Sequence, residues 1–225
     1  LAVPAIQPVS TTGDARRASV AASGDQALFA WVADGSLHTR LASSAGAFNS
    51  PDTTLVSSAA TPDEVAHARV AAAANGGFVI AVRWTPRSGT GPGRIELLRV
   101  DATGALVGAP TLITDRTAVD ALANFDNDES FGIASRSDGT ILVAWHTCGD
   151  FGDDNLCGVF GRFLRDTGEP ASEAFGIPTT TAGDQELPSV VALPGAFVAM
   201  WSDASGKPPD IALRSVRARI LAPPP

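Results

Sequence analysis

The 225-residue chain has no tyrosine, only one lysine (Lys207), only two cysteines and no long apolar run. Without tyrosine, it lacks a residue type that often acts in catalysis or stacks on sugars. With a formal net charge of −8, it has no basic stripe that could neutralise nucleic-acid phosphates. No apolar stretch approaches the roughly 18 residues that a membrane span needs. The sequence therefore predicts neither a nucleic-acid partner nor a membrane span.

The two cysteines, Cys148 and Cys157, flank a single loop and are predicted to form a disulfide. Their spacing does not fit the CxxC motif of redox proteins, and two thiols alone make a poor zinc site. Two free thiols are the alternative. A disulfide predicts an oxidising compartment, that is, an extracellular, cell-surface or periplasmic location.

Four tryptophans, each at the end of a short apolar run, divide the chain into similar units, with spacings of 53, 61 and 56 positions. They are Trp31, Trp84, Trp145 and Trp201. A repeat of this length, with β-branched and aromatic runs between Gly-rich turns, is typical of all-β repeat architectures. The runs are apolar on both faces, which favours strands buried between neighbouring sheets. Their equivalent positions favour core packing of the tryptophans over sugar stacking.

Each unit divides into four strands, except that the last unit lacks its fourth strand. The units are predicted at approximately 14–57, 64–114, 127–178 and 184–220, and residues 5–10 form a spare strand at the beginning of the chain. Gly13-Asp14 precedes Ser19 by the same spacing as Gly183-Asp184 precedes Ser189, so the spare strand should complete the last blade and hide its edge. We therefore expect residues 1–225 to form a single domain, a four-bladed β-propeller closed by its N-terminal strand. A two-sheet sandwich and a fragment of a larger ring are the alternatives.

The repeated residues also carry a family resemblance. The stretch Pro188–Ala192 is followed by Phe197–Trp201, and the stretch Ser137–Trp145 is followed by Gly161–Gly168. These stretches resemble a repeat of secreted and surface-anchored bacterial proteins, which reads approximately P-x-V-A, D-G-x-F-V-V-A-W, R-F and D-x-x-G. The resemblance covers nearly the whole chain. It implies a β-propeller in an exported bacterial protein, and it implies no particular activity.

Four oxygen-bearing side chains lie at equivalent positions, six residues before an apolar position in the first strand of each unit. They are Asp14, Glu64, Asn127 and Asp184. If they surround the mouth of the central channel, they could hold a cation such as calcium, which prefers several oxygen ligands. The alternative is that they initiate turns, as Asp and Asn commonly do.

Two acidic loops of the third unit form a second candidate calcium site. Their candidate ligands are Asp126, Asn127 and Asp128 in one loop and Asp150, Asp153 and Asp154 in the other. In a propeller both loops project from the same face, and clustered carboxylates repel each other unless a cation or solvent screens them. Neither loop fits the EF-hand pattern, so a solvated acidic surface is the alternative.

No catalytic constellation can be argued from the sequence. There is no G-x-S-x-G motif, and His38, His67 and His146 fall in different units. The leading prediction is therefore a non-catalytic exported propeller, either a lectin-like module or a structural subunit of an extracellular complex. It would bind a glycan or a protein partner through the loops between the second and third strands, which include Arg87, Arg94, Phe151, Asp203 and Lys207. The alternative is a metal-dependent hydrolase or lyase with carboxylates at the channel mouth.

Overall fold

A computed structural model describes residues 7–11, 13–59, 61–88, 93–117, 131–148, 157–208, 211 and 214–224. Throughout these residues the chain is all-β, with fifteen strands in four separate antiparallel sheets and no helix. Accordingly, the described part of the chain contains no helix that could span a membrane.

We call the four sheets blades 1 to 4 in chain order. Blade 1 consists of β1 (Arg16–Ser23), β2 (Gln26–Ala33), β3 (Ser36–Ser43) and β4 (Thr53–Val56). Blade 2 consists of β5 (Asp63–Ala72), β6 (Phe78–Pro86), β7 (Gly93–Val100) and β8 (Thr111–Thr117). Blade 3 consists of β9 (Phe131–Ser135), β10 (Ile141–Cys148), β11 (Cys157–Leu164) and β12 (Phe175–Gly176). Blade 4 consists of β13 (Gln185–Leu193), β14 (Ala196–Asp203) and β15 (Ser215–Leu221).

In every blade the strands pair in chain order, so each blade is a meander. The tryptophan-ending strands β2, β6, β10 and β14 are the second strands of their blades. All four tryptophans are buried, as expected for core residues. The sequence-based prediction of repeated antiparallel sheets is confirmed.

The apolar core lies between successive blades. Leu28 and Leu41 of blade 1 belong to one cluster with Ile80 of blade 2. A second cluster joins blades 2 and 3, and a third joins blades 3 and 4. The inner strands β1, β5, β9 and β13 lie side by side along this series, and the backbone N–H of Val70 donates to Ser19 Oγ at 3.1 Å. Face-to-face blades around adjacent inner strands give the molecule a propeller-like arrangement.

The described part of the predicted closing strand does not pair with blade 4. Residues 7–11 form no strand, and blade 4 has three strands. Arg40 Nη1 in blade 1 instead donates to the carbonyl of Val9 at 3.0 Å, and the backbone N–H of Thr11 donates to Asp52 Oδ2 at 2.9 Å. These side chains engage backbone groups that a strand ladder would have used, and Pro8 has no N–H to donate to a ladder. Residues 5 and 6 lie outside the described residues.

The predicted disulfide is present. Cys148 and Cys157 are bonded to each other, and they are directly opposite residues at the end of β10 and the start of β11. The bond therefore closes the acidic loop between the second and third strands of blade 3.

Candidate functional site

The inner strands of blades 2, 3 and 4 line a cavity of about 280 Å³. Its wall consists of Arg69 and Val70 from β5, residues 131–133 from β9 and residues 187–190 from β13. Arg69 supplies the charged side chain of this wall. Gly132 allows β9 and β13 to approach closely, because a Cβ atom at this position would lie 3.2 Å from Val190 Cγ2. The cavity therefore lies among the inner strands of three adjacent blades.

Three of the inner strands contain a β-bulge near their first residues. The register shifts at Arg17 in β1, at Ala66 in β5 and at Leu187 in β13. Arg17 and Leu187 have φ values of 58° and 56°, which are uncommon for residues other than glycine. The Arg17 guanidinium donates to the carbonyl of Ala66, so the bulges of two neighbouring blades are linked. Bulges are over-represented beside active sites, where they redirect side chains.

Glu64 and Asp184 of the predicted carboxylate ring contact loops between second and third strands. Glu64 lies in β5 and packs against Gly35. A Cβ atom added at Gly35 would lie only 2.9 Å from the Cβ of Glu64. Asp184 precedes β13, and its Oδ1 accepts a hydrogen bond of 3.0 Å from the backbone N–H of Cys157. These contacts place the starts of the inner strands and the loops between second and third strands at the same end of the blades.

The predicted ring is not a compact metal site among the described residues. Asp14 lies exposed in the turn before β1, and Asn127 lies outside the described residues. Nowhere in the described part of the chain do three His, Cys, Asp or Glu side chains form a group suited to a metal ion. Asp14, Glu64 and Asp184 are therefore separate carboxylates at one end of the blades.

The second predicted calcium site cannot be placed. Its residues Asp126, Asn127, Asp128, Asp150, Asp153 and Asp154 all lie outside the described residues. The described residues that adjoin the second loop include the disulfide. Residues 157–160 and Gln185 also line a smaller cavity of about 110 Å³. Calcium at these loops stays a prediction.

A charged cluster at the same end of blade 2 was not predicted from the sequence as a unit. Arg94 forms an ion pair with Asp63, and its Nε donates to Glu96 Oε1 at 2.9 Å. Its guanidinium also lies over the Trp84 ring, 4.8 Å from the centroid. Burial acts to lower the pKa of Arg94, but the bonds to Glu96 and Asp63 raise it above its ordinary value. Arg94 is therefore a fixed cation whose two carboxylates are already neutralised.

Asp203 has a structural setting in blade 4. Its side chain is fully buried, with Trp201 Nε1 at 3.3 Å from Oδ2 and Arg217 Nε at 3.2 Å from Oδ1. The backbone N–H of Ser205 donates to Oδ1 at 2.9 Å. Burial acts to raise the pKa of Asp203, but the hydrogen bonds from Ser205 and Trp201 and the charge of Arg217 hold it below its usual value. Asp203 is thus a buried anion that orders the turn after β14, and solvent does not reach it.

No model of a known protein family and no curated protein matches the chain. Solved structures do match it. A protein of unknown function from Dyadobacter fermentans DSM 18053 has a TM-score of 0.63 and 13% identity, over 93% of this chain and 54% of that one. Xylan beta-1,4-xylosidase from Bacillus Halodurans C-125 has a TM-score of 0.57 and 8% identity, over 92% of this chain and 39% of that one.

A third match is an N-acetylgalactosamine deacetylase from F. plautii in complex with blood group B trisaccharide. Its TM-score is 0.54 with 12% identity, over 98% of this chain and 74% of that one. At such identities the likeness is one of fold. The chain spans about half the length of the Dyadobacter protein and about two fifths of the length of the xylosidase.

These matches correct the sequence-based prediction of a non-catalytic module. That prediction depended on finding no catalytic motif in the linear sequence. The fold is instead shared with enzymes that act on carbohydrates, namely the xylosidase and the deacetylase.

Proposed function

We propose that this protein is a carbohydrate-active hydrolase that cleaves glycosidic bonds and binds its sugar at the cavity between the inner strands of blades 2 to 4. The cavity lined by Arg69, Gly132 and Ser189 is the observation that carries the proposal. A concave site with an arginine and a serine side chain in its wall can hydrogen-bond a hydroxyl-rich ligand. The fold shared with the xylosidase supports a glycan as that ligand.

Hydrolysis of a glycosidic bond ordinarily needs two carboxyl groups, one as acid and one as base or nucleophile. Several carboxylates near the end of the blades where the inner strands begin are already paired with cations. Arg94 pairs with Asp63 and Glu96. Arg214 pairs with Glu186, and Arg217 pairs with Asp203. Glu64 and Asp14 have no ion pair with any described residue. We therefore assign the acid and base roles to the Asp14, Glu64 and Asp184 group, with Glu64 as the first candidate because it lies within an inner strand.

The disulfide supports an exported location for this enzyme, because such bonds persist in oxidising compartments. A glycan substrate outside the cell is consistent with that setting. The candidate carboxylates do not line the cavity. The bond to be cleaved would therefore lie at the end of the blades where the inner strands begin, with neighbouring sugar units in the cavity.

The test is the release of reducing sugar from a panel of polysaccharides that includes xylan and arabinan, together with aryl glycosides. Glu64→Gln should lower kcat/KM by about 100-fold or more, because loss of an acid or base typically costs 10²–10⁴. The matched control is Asp25→Asn, which changes an exposed carboxylate in the β1–β2 turn at the other end of blade 1. Its activity should stay within about twofold of the parent. Equal activity of the two variants would refute the assignment of Glu64, and no hydrolysis of any substrate would refute the proposed reaction.

A further inference from the structure

A further cavity, larger than the two described above, lies between blades 3 and 4. It measures about 520 Å³ and is lined by the β9–β10 turn, the β11–β12 turn, Gly195 and residues 222–224. Both turns follow strands that begin at the end of the candidate carboxylates, so the cavity lies at the opposite end of the blades. An eight-residue strand is about 25 Å long, and this length separates the two ends. We call this space the far-end cavity.

Four charged side chains line the far-end cavity, namely Arg136, Asp138, Arg165 and Asp166. Arg136 Nη2 and Asp138 Oδ2 form an ion pair of 2.7 Å. The side chains of Arg165 and Asp166 have no hydrogen bond or ion pair with any other described residue. Asp166 packs against Gly139, where an added Cβ would lie 2.9 Å from its Oδ2. The wall therefore presents one cation and one anion whose polar atoms are available to a ligand.

The β11–β12 turn has a counterpart in blade 2 with the same backbone and a different side chain. The backbone N–H of Arg165 donates to the carbonyl of Glu169 at 2.8 Å, and in the β7–β8 turn the backbone N–H of Asp101 donates to the carbonyl of Ala105 at 2.9 Å. The Asp101 carboxylate also accepts from the backbone N–H of Ala105 at 3.0 Å, which stabilises its turn. Arg165 cannot accept such a bond, because a guanidinium is only a donor. Blade 3 thus has a side chain here that the turn itself does not require.

Two further charged residues of the far-end cavity stand where blade 2 has alanine. In the same alignment of turns, Asp166 corresponds to Ala102, and Arg136 corresponds to Ala73 in the β5–β6 turn. The chain therefore makes turns of this form without charged side chains at these positions. A departure from the local pattern that brings no evident structural gain is typical of a functional site.

We propose that the far-end cavity is a second glycan site, which binds a neutral stretch of polysaccharide away from the bond that is cleaved. Two arginines and two aspartates give its wall no net charge, so an ionic ligand would be attracted by one pair and repelled by the other. A sugar hydroxyl both donates and accepts, and it can therefore bond to Asp166 and to Arg165. Pro223 and Pro224 add apolar wall for the faces of the sugar rings. The choice of a glycan rests on the proposed function.

The second site acts on polymers and not on short substrates. A polysaccharide held in the far-end cavity stays close to the candidate carboxylates, which raises its effective concentration there. An aryl glycoside is much shorter than the roughly 25 Å between the two ends of a blade, so it gains nothing from the second site. The site thus separates polymer binding from the chemical step.

The experiment is affinity electrophoresis of the full chain through gels that contain xylan, arabinan or the anionic polymer polygalacturonate. A neutral polysaccharide should retard the parent, and Asp166→Ala and Arg165→Ala should each raise the apparent Kd by about tenfold, as expected for a lost hydrogen bond to a charged group. The matched control is Glu169→Ala, which removes the same charge from the same turn at an exposed residue outside the cavity wall. It should be retarded like the parent. Circular dichroism melts check that each variant remains folded.

Equal retardation of Asp166→Ala, Arg165→Ala and the control would overturn the second site, and so would a parent that only polygalacturonate retards or that no polymer retards. Kinetics separate this outcome from a failure of the proposed reaction. Glu64→Gln should lose hydrolysis and keep its retardation, whereas Asp166→Ala should lower kcat/KM for the polymer about tenfold relative to kcat/KM for an aryl glycoside. A parent that is retarded through Asp166 and Arg165 but hydrolyses nothing would support the site and refute the reaction.

Discussion

The Asp184 carboxylate accepts a hydrogen bond of 3.0 Å from the backbone N–H of Cys157. This contact joins the start of the inner strand of blade 4 to the disulfide of blade 3. The disulfide therefore closes a loop and also supports the position of one of the candidate catalytic carboxylates.

Removal of the disulfide should destabilise the protein moderately. The two cysteines are 9 positions apart, and closing so short a loop stabilises the folded state by about 2–3 kcal/mol in the chain-entropy model. A urea titration with and without reductant measures the difference in the free energy of unfolding. The double variant Cys148→Ser with Cys157→Ser is the control, because its stability should not respond to reductant. An unchanged midpoint for the reduced parent would contradict the prediction.

Asp203→Ala should be strongly destabilising. It removes a fully buried carboxylate that is the ion-pair partner of Arg217 and the hydrogen-bond acceptor of the Trp201 indole. Breaking a buried ion pair in this way costs about 3–5 kcal/mol. Chemical denaturation at neutral pH measures the loss. Asp138→Ala offers a comparison, because Asp138 forms an exposed ion pair with Arg136, and such pairs contribute about 1 kcal/mol or less.

The stability of the fold should decrease in acid. Interactions lower the folded-state pKa of Asp203 and Asp52 below the ordinary value of 3.8, although burial acts in the opposite direction. For Asp52 the lowering comes from hydrogen bonds with Thr11 and from His38. Because the folded pKa lies below the unfolded one, these groups stabilise the fold above the unfolded pKa, and that contribution is lost as the pH falls through the folded pKa.

Urea titrations at pH 7, 5 and 3 measure this effect. The free energy of unfolding should change little from pH 7 to pH 5 on account of these groups and should fall by pH 3. Asp52→Asn should be less stable at pH 7 and should lose less on acidification. A parent as stable at pH 3 as at pH 7 would show that the carboxylate contacts do not contribute.

A methyl group at Gly132 should disturb the proposed sugar cavity. The added Cβ would lie 3.2 Å from Val190 Cγ2 and 3.4 Å from the backbone nitrogen of Val190, and overpacking of this kind costs about 1–3 kcal/mol. Gly132→Ala should therefore lower the melting temperature and weaken sugar binding in calorimetry. Gly176→Ala is the matched control, because the carbonyl oxygen of Pro178, the nearest atom outside the adjoining residues, is 4.0 Å from its added Cβ. If both variants behave like the parent, the cavity is not closely packed around Gly132.

Calcium should raise the melting temperature if the acidic loops of blade 3 bind it. A ligand that binds only the folded state stabilises it by mass action, and a rise of several degrees is expected when calcium is added after treatment with EDTA. Asp153→Asn should abolish most of this rise, whereas Asp184→Asn tests the other candidate position. An identical melting temperature with EDTA and with calcium would show that these loops do not bind calcium.

Much of the fold was predictable from local pattern. Each apolar run that ends in a tryptophan became the second strand of a blade, because residues apolar on both faces can be buried only between two sheets. The disulfide was predictable for the same kind of reason, since a single pair of cysteines flanks a single loop. The repeat spacing predicted the candidate carboxylates, but it did not predict which residues they contact. The pairing of Arg94 with Asp63 joins residues 31 positions apart, which no local pattern specifies.

The outward faces of blades 1 and 4 show what the sequence alone does not specify. The repeat of apolar runs by itself predicted where the second strand of each blade lies and that the strands form four antiparallel sheets. Only the tertiary structure decided that blade 2 covers the face of Leu28 and Leu41 in blade 1, whereas none of the described blades covers the matching face of Val191 and Ile220 in blade 4. It also decided that residues 7–11 lie against blade 1. The physical reason is that strand formation and burial preference are local properties, whereas the partner that covers a face depends on how distant parts of the chain pack.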